Sequence, residues 1–211
     1  MIMGAWGLGR KPKLPYDAEV EYLESTGTQW IDTGVQGVAG LSMRIVFSPI
    51  YPVHTGSQAY WGGNASFNND GYNASNSGSN EYKIGFSVGA SATYGTSVQS
   101  INDIEITSTG LSLNGTKILT PGSKYTDKTI YLFGFNYNGV ASRLSKMRLY
   151  SFRIDGVVDL QPVRFTNELG QSEGAMYDRL GVGGMNPDGS PRTDGLYRNC
   201  GTRAFLWGEK Q

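Results

Sequence analysis

Apolar and polar residues alternate along this chain in short runs, and no run holds a helical period for a useful length. The clearest is Leu111-Ser-Leu-Asn-Gly-Thr-Lys-Ile-Leu119, where alternation on two arms surrounds Asn114-Gly115. That dipeptide accepts the positive φ angles of a two-residue turn, so the segment predicts a β-hairpin. Asp155-Gly156 predicts a second hairpin between runs 145–154 and 157–165, with the even positions of the first run facing inward near its end. Further strands are expected at Glu19–Ser25 and Gln29–Asp32, broken by a Ser-Thr-Gly turn, and at Leu41–Pro49, where proline stops pairing. Runs at Gln58–Gly62, Tyr82–Val88 and Ile101–Thr107 continue the series. Thr129–Phe135 is mostly apolar, as in a strand buried on both faces. Ten to thirteen short strands with turn signals between them predict an all-β sandwich or jelly roll.

Composition agrees. The 211 residues suit one large β domain, and 30 Gly with 13 Tyr is the profile of strands joined by tight turns. Formal net charge is zero, so no global field draws the chain to nucleic acid or a membrane surface. Neither a run of about 18 apolar residues nor a signal-peptide core occurs, which predicts a chain neither inserted in a membrane nor exported by that route. The one cysteine, Cys200, has no internal disulfide partner and is expected to be a small buried side chain.

Residues 1–16 differ from the remainder. They hold three glycines, two prolines, Arg10, Lys11 and Lys13, and no acidic residue. Two readings are open: a frayed terminus, or an extended arm that docks on a neighbour through Ile2, Trp6 and Leu8, with the basic residues beside them. A frayed tail has no need of a tryptophan, which favours the arm. The domain is then 17–211.

Three separated motifs carry a resemblance. Glu21-Tyr-Leu-Glu-Ser-Thr-Gly-Thr-Gln-Trp-Ile-Asp-Thr-Gly34 comes first. Arg148-Leu-Tyr-Ser-Phe-Arg-Ile154 with Gly174-Ala-Met-Tyr-Asp178 follows, and Tyr197-Arg-Asn-Cys-Gly-Thr-Arg-Ala-Phe-Leu-Trp-Gly208 closes the chain. In this order they resemble a family of jelly-roll domains related to concanavalin A and laminin-G modules, common in bacteriophage structural proteins and gut-bacterial surface proteins. The resemblance implies a concanavalin A-like jelly-roll sandwich of two antiparallel sheets behind an N-terminal arm. It also implies a non-enzymatic virion component, such as a capsid decoration, head-fibre or tail-appendage protein, made in the host cytoplasm. Its partners would be other virion proteins through the arm, further copies of itself, and host-surface glycans. The rival settings are a carbohydrate-binding module on a bacterial surface and, less favoured, a glycoside hydrolase. The chain departs from the family pattern in a Gly/Pro/Asp-rich insertion at 179–195, and in Asp159-Leu-Gln-Pro-Val163 where the family has Asp-Leu-Ile-Pro-Cys. The motifs themselves are expected to be architectural, with Asp178 a backbone acceptor and the last strand lying beside the first.

Candidate chemistry is sparse. Asp103 and Glu105 share one strand face and resemble the carboxylate strand of concanavalin-like glucanases. The position of the nucleophile there is Ile101, which removes the covalent step. One histidine, His54, and one cysteine leave no zinc set. No cofactor is expected, although Asn68, Asn69 and Asp70 supply oxygen donors of the kind Ca²⁺ takes. Residues 55–80 are rich in asparagine and aromatics. Tyr60, Trp61, Asn64, Asn68, Asp70 and Tyr72 are the residue types that hold sugars, by ring stacking and planar hydrogen bonds. The competing reading makes Tyr60 and Trp61 core or edge residues and the asparagines turn formers.

Overall fold

The computed structural model describes residues 13–50, 57–64, 72–76, 83–89, 91–97, 100–123, 127–181, 186 and 188–210. Among them the chain forms eighteen strands and no helix. The first ten are β1 (Ala18–Thr26), β2 (Ile31–Gln36), β3 (Met43–Pro49), β4 (Ala59–Asn64), β5 (Tyr72–Asn76), β6 (Lys83–Val88), β7 (Ser91–Ser97), β8 (Asn102–Ile106), β9 (Leu111–Leu113) and β10 (Thr116–Leu119). The rest are β11 (Thr129–Leu132), β12 (Phe135–Tyr137), β13 (Val140–Ser142), β14 (Lys146–Ile154), β15 (Val158–Thr166), β16 (Ser172–Asp178), β17 (Leu196–Tyr197) and β18 (Leu206–Glu209).

They make a β-sandwich of two sheets, neither closed into a barrel. The larger sheet has ten strands in the order β10-β9-β8-β3-β14-β1-β15-β16-β17, with β18 also paired to β1. The smaller has eight, with β13-β12-β4-β5-β6-β7 in one path and β11 joining β2 to β4. Pairing is antiparallel throughout except for a short parallel contact of β12 with β4. The core lies between the sheets and draws from both: Leu23, Ile45, Phe47, Leu149 and Phe152 from the larger, Ile31, Tyr60, Phe86 and Leu132 from the smaller. Phe47 and Tyr60 meet across it with ring centroids 4.9 Å apart.

Both predicted hairpins form. Asn114 and Gly115 have φ of 51° and 78°, as a two-residue turn with positive φ requires. The β14–β15 hairpin pairs only near its tip, from Phe152 with Leu160 to Ile154 with Val158, and then opens. β1 enters the fork, pairing Leu23–Thr26 with β14 and Ala18–Glu19 with β15.

One expectation about strand pattern holds near the end of its strand, and one changes. Along β14 the buried positions are Met147 and Leu149 and then Phe152 and Ile154. A register shift against β3 between Leu149 and Ser151 switches the inward parity from odd to even, so even positions face inward only beyond it. The run 129–135 is not one strand. Phe133 has φ 64°, a conformation costly for a bulky side chain, and it breaks the run into β11 and β12. Its backbone is held on both sides: its N–H donates to Tyr60 O at 2.9 Å and its carbonyl accepts from Ser145 N at 2.8 Å. Its ring packs on Phe205 at 4.7 Å.

A second, smaller cluster of Val163, Phe165, Ala175 and Leu196 is packed by Tyr16 and Tyr177, whose rings lie 4.9 Å apart. Tyr16, assigned to the arm from sequence, therefore packs against the sandwich.

Candidate functional site

Of the six residues proposed to hold a sugar, the structure places two in the core. Tyr60 and Trp61 are fully buried core side chains, so neither presents a face to a ligand; the core reading of these two is the correct one. A register shift in β4 between Ala59 and Trp61 accompanies the burial of two consecutive aromatics. Asn64 and Tyr72 contribute backbone to β4 and β5. Asn68, Asn69 and Asp70 lie outside the described residues, as do His54 and, from the arm, Ile2, Trp6, Leu8, Arg10 and Lys11. Lys13 is described and exposed. Asp103 is held by Arg44 in a two-pronged pair at 2.9 and 2.5 Å on the outer face of the larger sheet, the use expected of a solvated strand face. Among the described residues, no three His, Cys, Asp or Glu side chains are grouped to hold a metal ion, and no helix is long and apolar enough to cross a membrane.

The motifs at the two ends of the chain come together. Gln29 is buried in the turn after β1 and collects the local donors: its Oε1 accepts from Ser25 Oγ at 3.1 Å, Thr26 N at 2.9 Å and Thr28 N at 3.2 Å. Its Nε2 donates to the carbonyl of Ala204 at 2.8 Å, reaching the other end of the chain. Beside it, Trp30 N donates to Asn199 Oδ1 at 3.1 Å, and Trp30 O accepts from Cys200 N at 2.8 Å. Asn199 Oδ1 also accepts from Gly201 N at 2.8 Å, shaping the loop that carries it. β18 then runs antiparallel to β1, from Val20 opposite Glu209 to Glu24 opposite Leu206. Asp178 acts as expected, its Oδ1 accepting from Asp159 N at 3.0 Å and Leu180 N at 3.1 Å. These motif residues close the sandwich. No family model, curated protein or solved structure matches the chain.

The insertion at 179–195 is tied to the same region by Arg192. This guanidinium is buried, donating to Asp32 O at 2.8 Å and Leu196 O at 3.4 Å and lying 4.1 Å over the Tyr197 ring. It has no carboxylate hydrogen-bonded to it among the described residues, and burial pushes its pKa below the usual arginine value. Half-buried Cys200 lies close by. Burial raises its thiol pKa, which lowers thiolate content and argues for a packing role. Nothing in a Gly/Pro/Asp-rich loop marks a buried arginine in advance.

One open groove stands out among the described residues. It has a volume of about 560 Å³ and is lined by Pro15, Phe165, Asn167, Glu168, Leu169 and Arg198. Its floor belongs to the second cluster. Arg198 lies 5.0 Å over the Phe165 ring and pairs with Asp194 at 2.5 Å. Asn167 folds the rim, its Oδ1 accepting from Leu169 N and Gln171 N at 2.9 Å each. That leaves Glu168 exposed and Leu169 82% exposed, more than any other large apolar side chain described. Asn167-Glu-Leu-Gly170 is readable as a turn, but its meeting with Pro15 and Arg198 is a product of the fold.

Proposed function

We propose that this chain is a non-enzymatic structural component of a bacteriophage virion. It would be a concanavalin A-like jelly roll displayed as a capsid decoration, head-fibre or tail-appendage protein and attached through its N-terminal residues. The observation that carries the reading is the interlock of Gln29 and Trp30 with Asn199, Cys200 and Ala204. The residues behind the family resemblance serve closure of a stable two-sheet module, which supports a display scaffold over a reactive centre. Engagement of Asp103 by Arg44 points the same way. The chain would work in the particle beside capsid or tail proteins and further copies of itself, with host-surface glycans as a contact of the outward loops. With Tyr60 and Trp61 buried, that contact falls to other residues.

The test is mass spectrometry and antibody labelling of purified particles from cells expressing the full chain, alongside a variant lacking residues 1–12. The full chain is expected in the particle, and the shortened one is expected to fold but remain outside it. Absence of the full chain from particles overturns the virion reading. Retention of the shortened form overturns the anchor alone. Selective binding to a glycan array without particle association favours the carbohydrate-binding module instead.

A further inference from the structure

An asparagine or aspartate followed by glycine is open to one intramolecular reaction. The glycine nitrogen, unshielded by a side chain, attacks the neighbouring side-chain carbonyl carbon, which must be free to rotate toward it. Five such pairs lie among the described residues: Asn114-Gly115, Asn138-Gly139, Asp155-Gly156, Asp188-Gly189 and Asp194-Gly195. Four are tied down. Asn114 Oδ1 accepts from Asp103 N at 2.8 Å, and Asn114 N donates back to Asp103 O at 2.8 Å. Asp155 is held by Ser42 Oγ at 2.7 Å and Arg153 Nε at 2.9 Å. Asp188 Oδ1 accepts from Ser190 N at 2.9 Å, and Asp194 Oδ1 from Leu196 N at 3.0 Å. These three aspartates, when ionised, are also poor targets for a nucleophile. Asn138 alone has a side chain without a hydrogen bond among the described residues, and it is exposed.

We infer that Asn138 is a site of spontaneous covalent modification, converting to aspartate and isoaspartate in the folded chain while Asn114 is preserved. The Gly139 nitrogen bonds to Asn138 Cγ and the Cγ–Nδ2 bond breaks. The proton of that nitrogen leaves by way of solvent on the departing ammonia. Water then opens the cyclic imide at either carbonyl, giving aspartate or the isomer whose backbone runs through the side chain. Nothing is oxidised or reduced, and water is the co-reactant. The local fold sets both a brake and a tolerance. Gly139 N donates to Asn136 Oδ1 at 2.7 Å, a bond that must open before the nitrogen attacks. Asn138 and Gly139 have φ of 53° and 88° in the two-residue turn between β12 and β13, which must also unwind. β13 is a three-residue strand at the sheet edge, paired to β12, so this opening disturbs little else. Asn114 faces a similar turn barrier with two bonds to Asp103 to break as well. Isoaspartate lengthens the turn's backbone by one methylene, so the Tyr137–Val140 pair beside it loses its register. This inference goes beyond the virion proposal and does not depend on it.

The experiment incubates the full chain for days at mildly alkaline pH, both folded and in urea, until the urea sample has converted at both asparagines. Peptide mapping with fragmentation that separates aspartate from isoaspartate reads each site. Water labelled with heavy oxygen marks the conversion that occurs during incubation. In urea the two Asn-Gly pairs are expected to convert at similar rates, because their chemistry is the same. In the folded chain Asn138 is expected to convert severalfold faster than Asn114, and in Asn138→Gly, which keeps the positive φ, Asn114 should stay as slow as in the parent. Equal folded rates, a faster Asn114, or no folded conversion at Asn138 overturns the inference. Particle incorporation is not read here, so this result and the virion test fail independently.

Discussion

Trp30 N–H donates to Asn199 Oδ1 at 3.1 Å, joining residues 169 positions apart in the chain. The same oxygen accepts from Gly201 N, and Asn199 Nδ2 donates to Arg203 O at 2.5 Å, so one amide shapes its own loop and binds it to the first turn. Asn199→Ala leaves two amide donors and a carbonyl without partners. It is expected to cost about 2–3 kcal/mol, from roughly 1 kcal/mol per bond plus the desolvation of what is left unpaired. Asn199→Asp keeps the acceptor, loses the donor, and should cost about half as much. Urea denaturation measures both, and hydrogen exchange at the Trp30 amide should quicken in the alanine variant.

Two glycines in the closing motif test how closely its backbone is fitted. A Cβ on Gly201 would stand 2.1 Å from Thr28 O, a backbone atom of the opening turn. A Cβ on Gly208 would stand 2.4 Å from the Tyr22 ring, which can rotate away at the surface. Gly201→Ala is therefore expected to destabilise by about 2–3 kcal/mol or more, and Gly208→Ala by about 1 kcal/mol. Equal urea midpoints for the two variants would show that the interlock is looser than its geometry.

Local chemistry was legible in the sequence, and long-range placement was not. Asn114-Gly115 announces its hairpin because both residues take the positive φ of a two-residue turn, and Gly156, with φ of 70°, supplies the positive φ of the three-residue loop after β14. The break at Phe133 follows from no local rule, since its strained φ is held by Tyr60 on β4 and by Ser145 in the loop before β14. Tyr60 and Trp61 carry the composition of a sugar platform, but burial depends on which strands flank β4, and β11 arrives from far along the chain. The groove was out of reach for a similar reason. It joins Pro15, Asn167–Leu169 and Arg198, three segments that only the β1–β15–β16–β17 part of the larger sheet brings together.

Burial of Trp61 turns a binding variant into a stability variant. Trp61→Ala removes a fully buried indole from the core between the sheets. Loss of about 3–5 kcal/mol is expected from the transfer and cavity terms, a large share of the stability of a typical domain. Calorimetry should show a markedly lower melting temperature. An unchanged melting temperature would mean that the indole is not in the core.

Tyr131 links the interlock to pH. Its ring stacks on Trp30 with centroids 4.4 Å apart, and Tyr131 pairs with Asp32 on β2. Burial, with the nearby Asp32 and Cys200 charges adding to it, pushes the phenol from its ordinary value of 10.0 up to about 12. Below pH 10 the folded and unfolded chains both hold this proton, and it contributes no pH dependence. Between pH 10 and 12 the unfolded chain releases it while the folded chain keeps it, so stability falls with rising pH and levels off beyond. Lysines titrate over the same range, so the Tyr131→Phe variant isolates the effect. Urea midpoints at about pH 9 and about pH 11 should separate more widely in the parent chain than in this variant. Equal separations would mean that the Tyr131 phenol ionises as freely in the folded chain as in water.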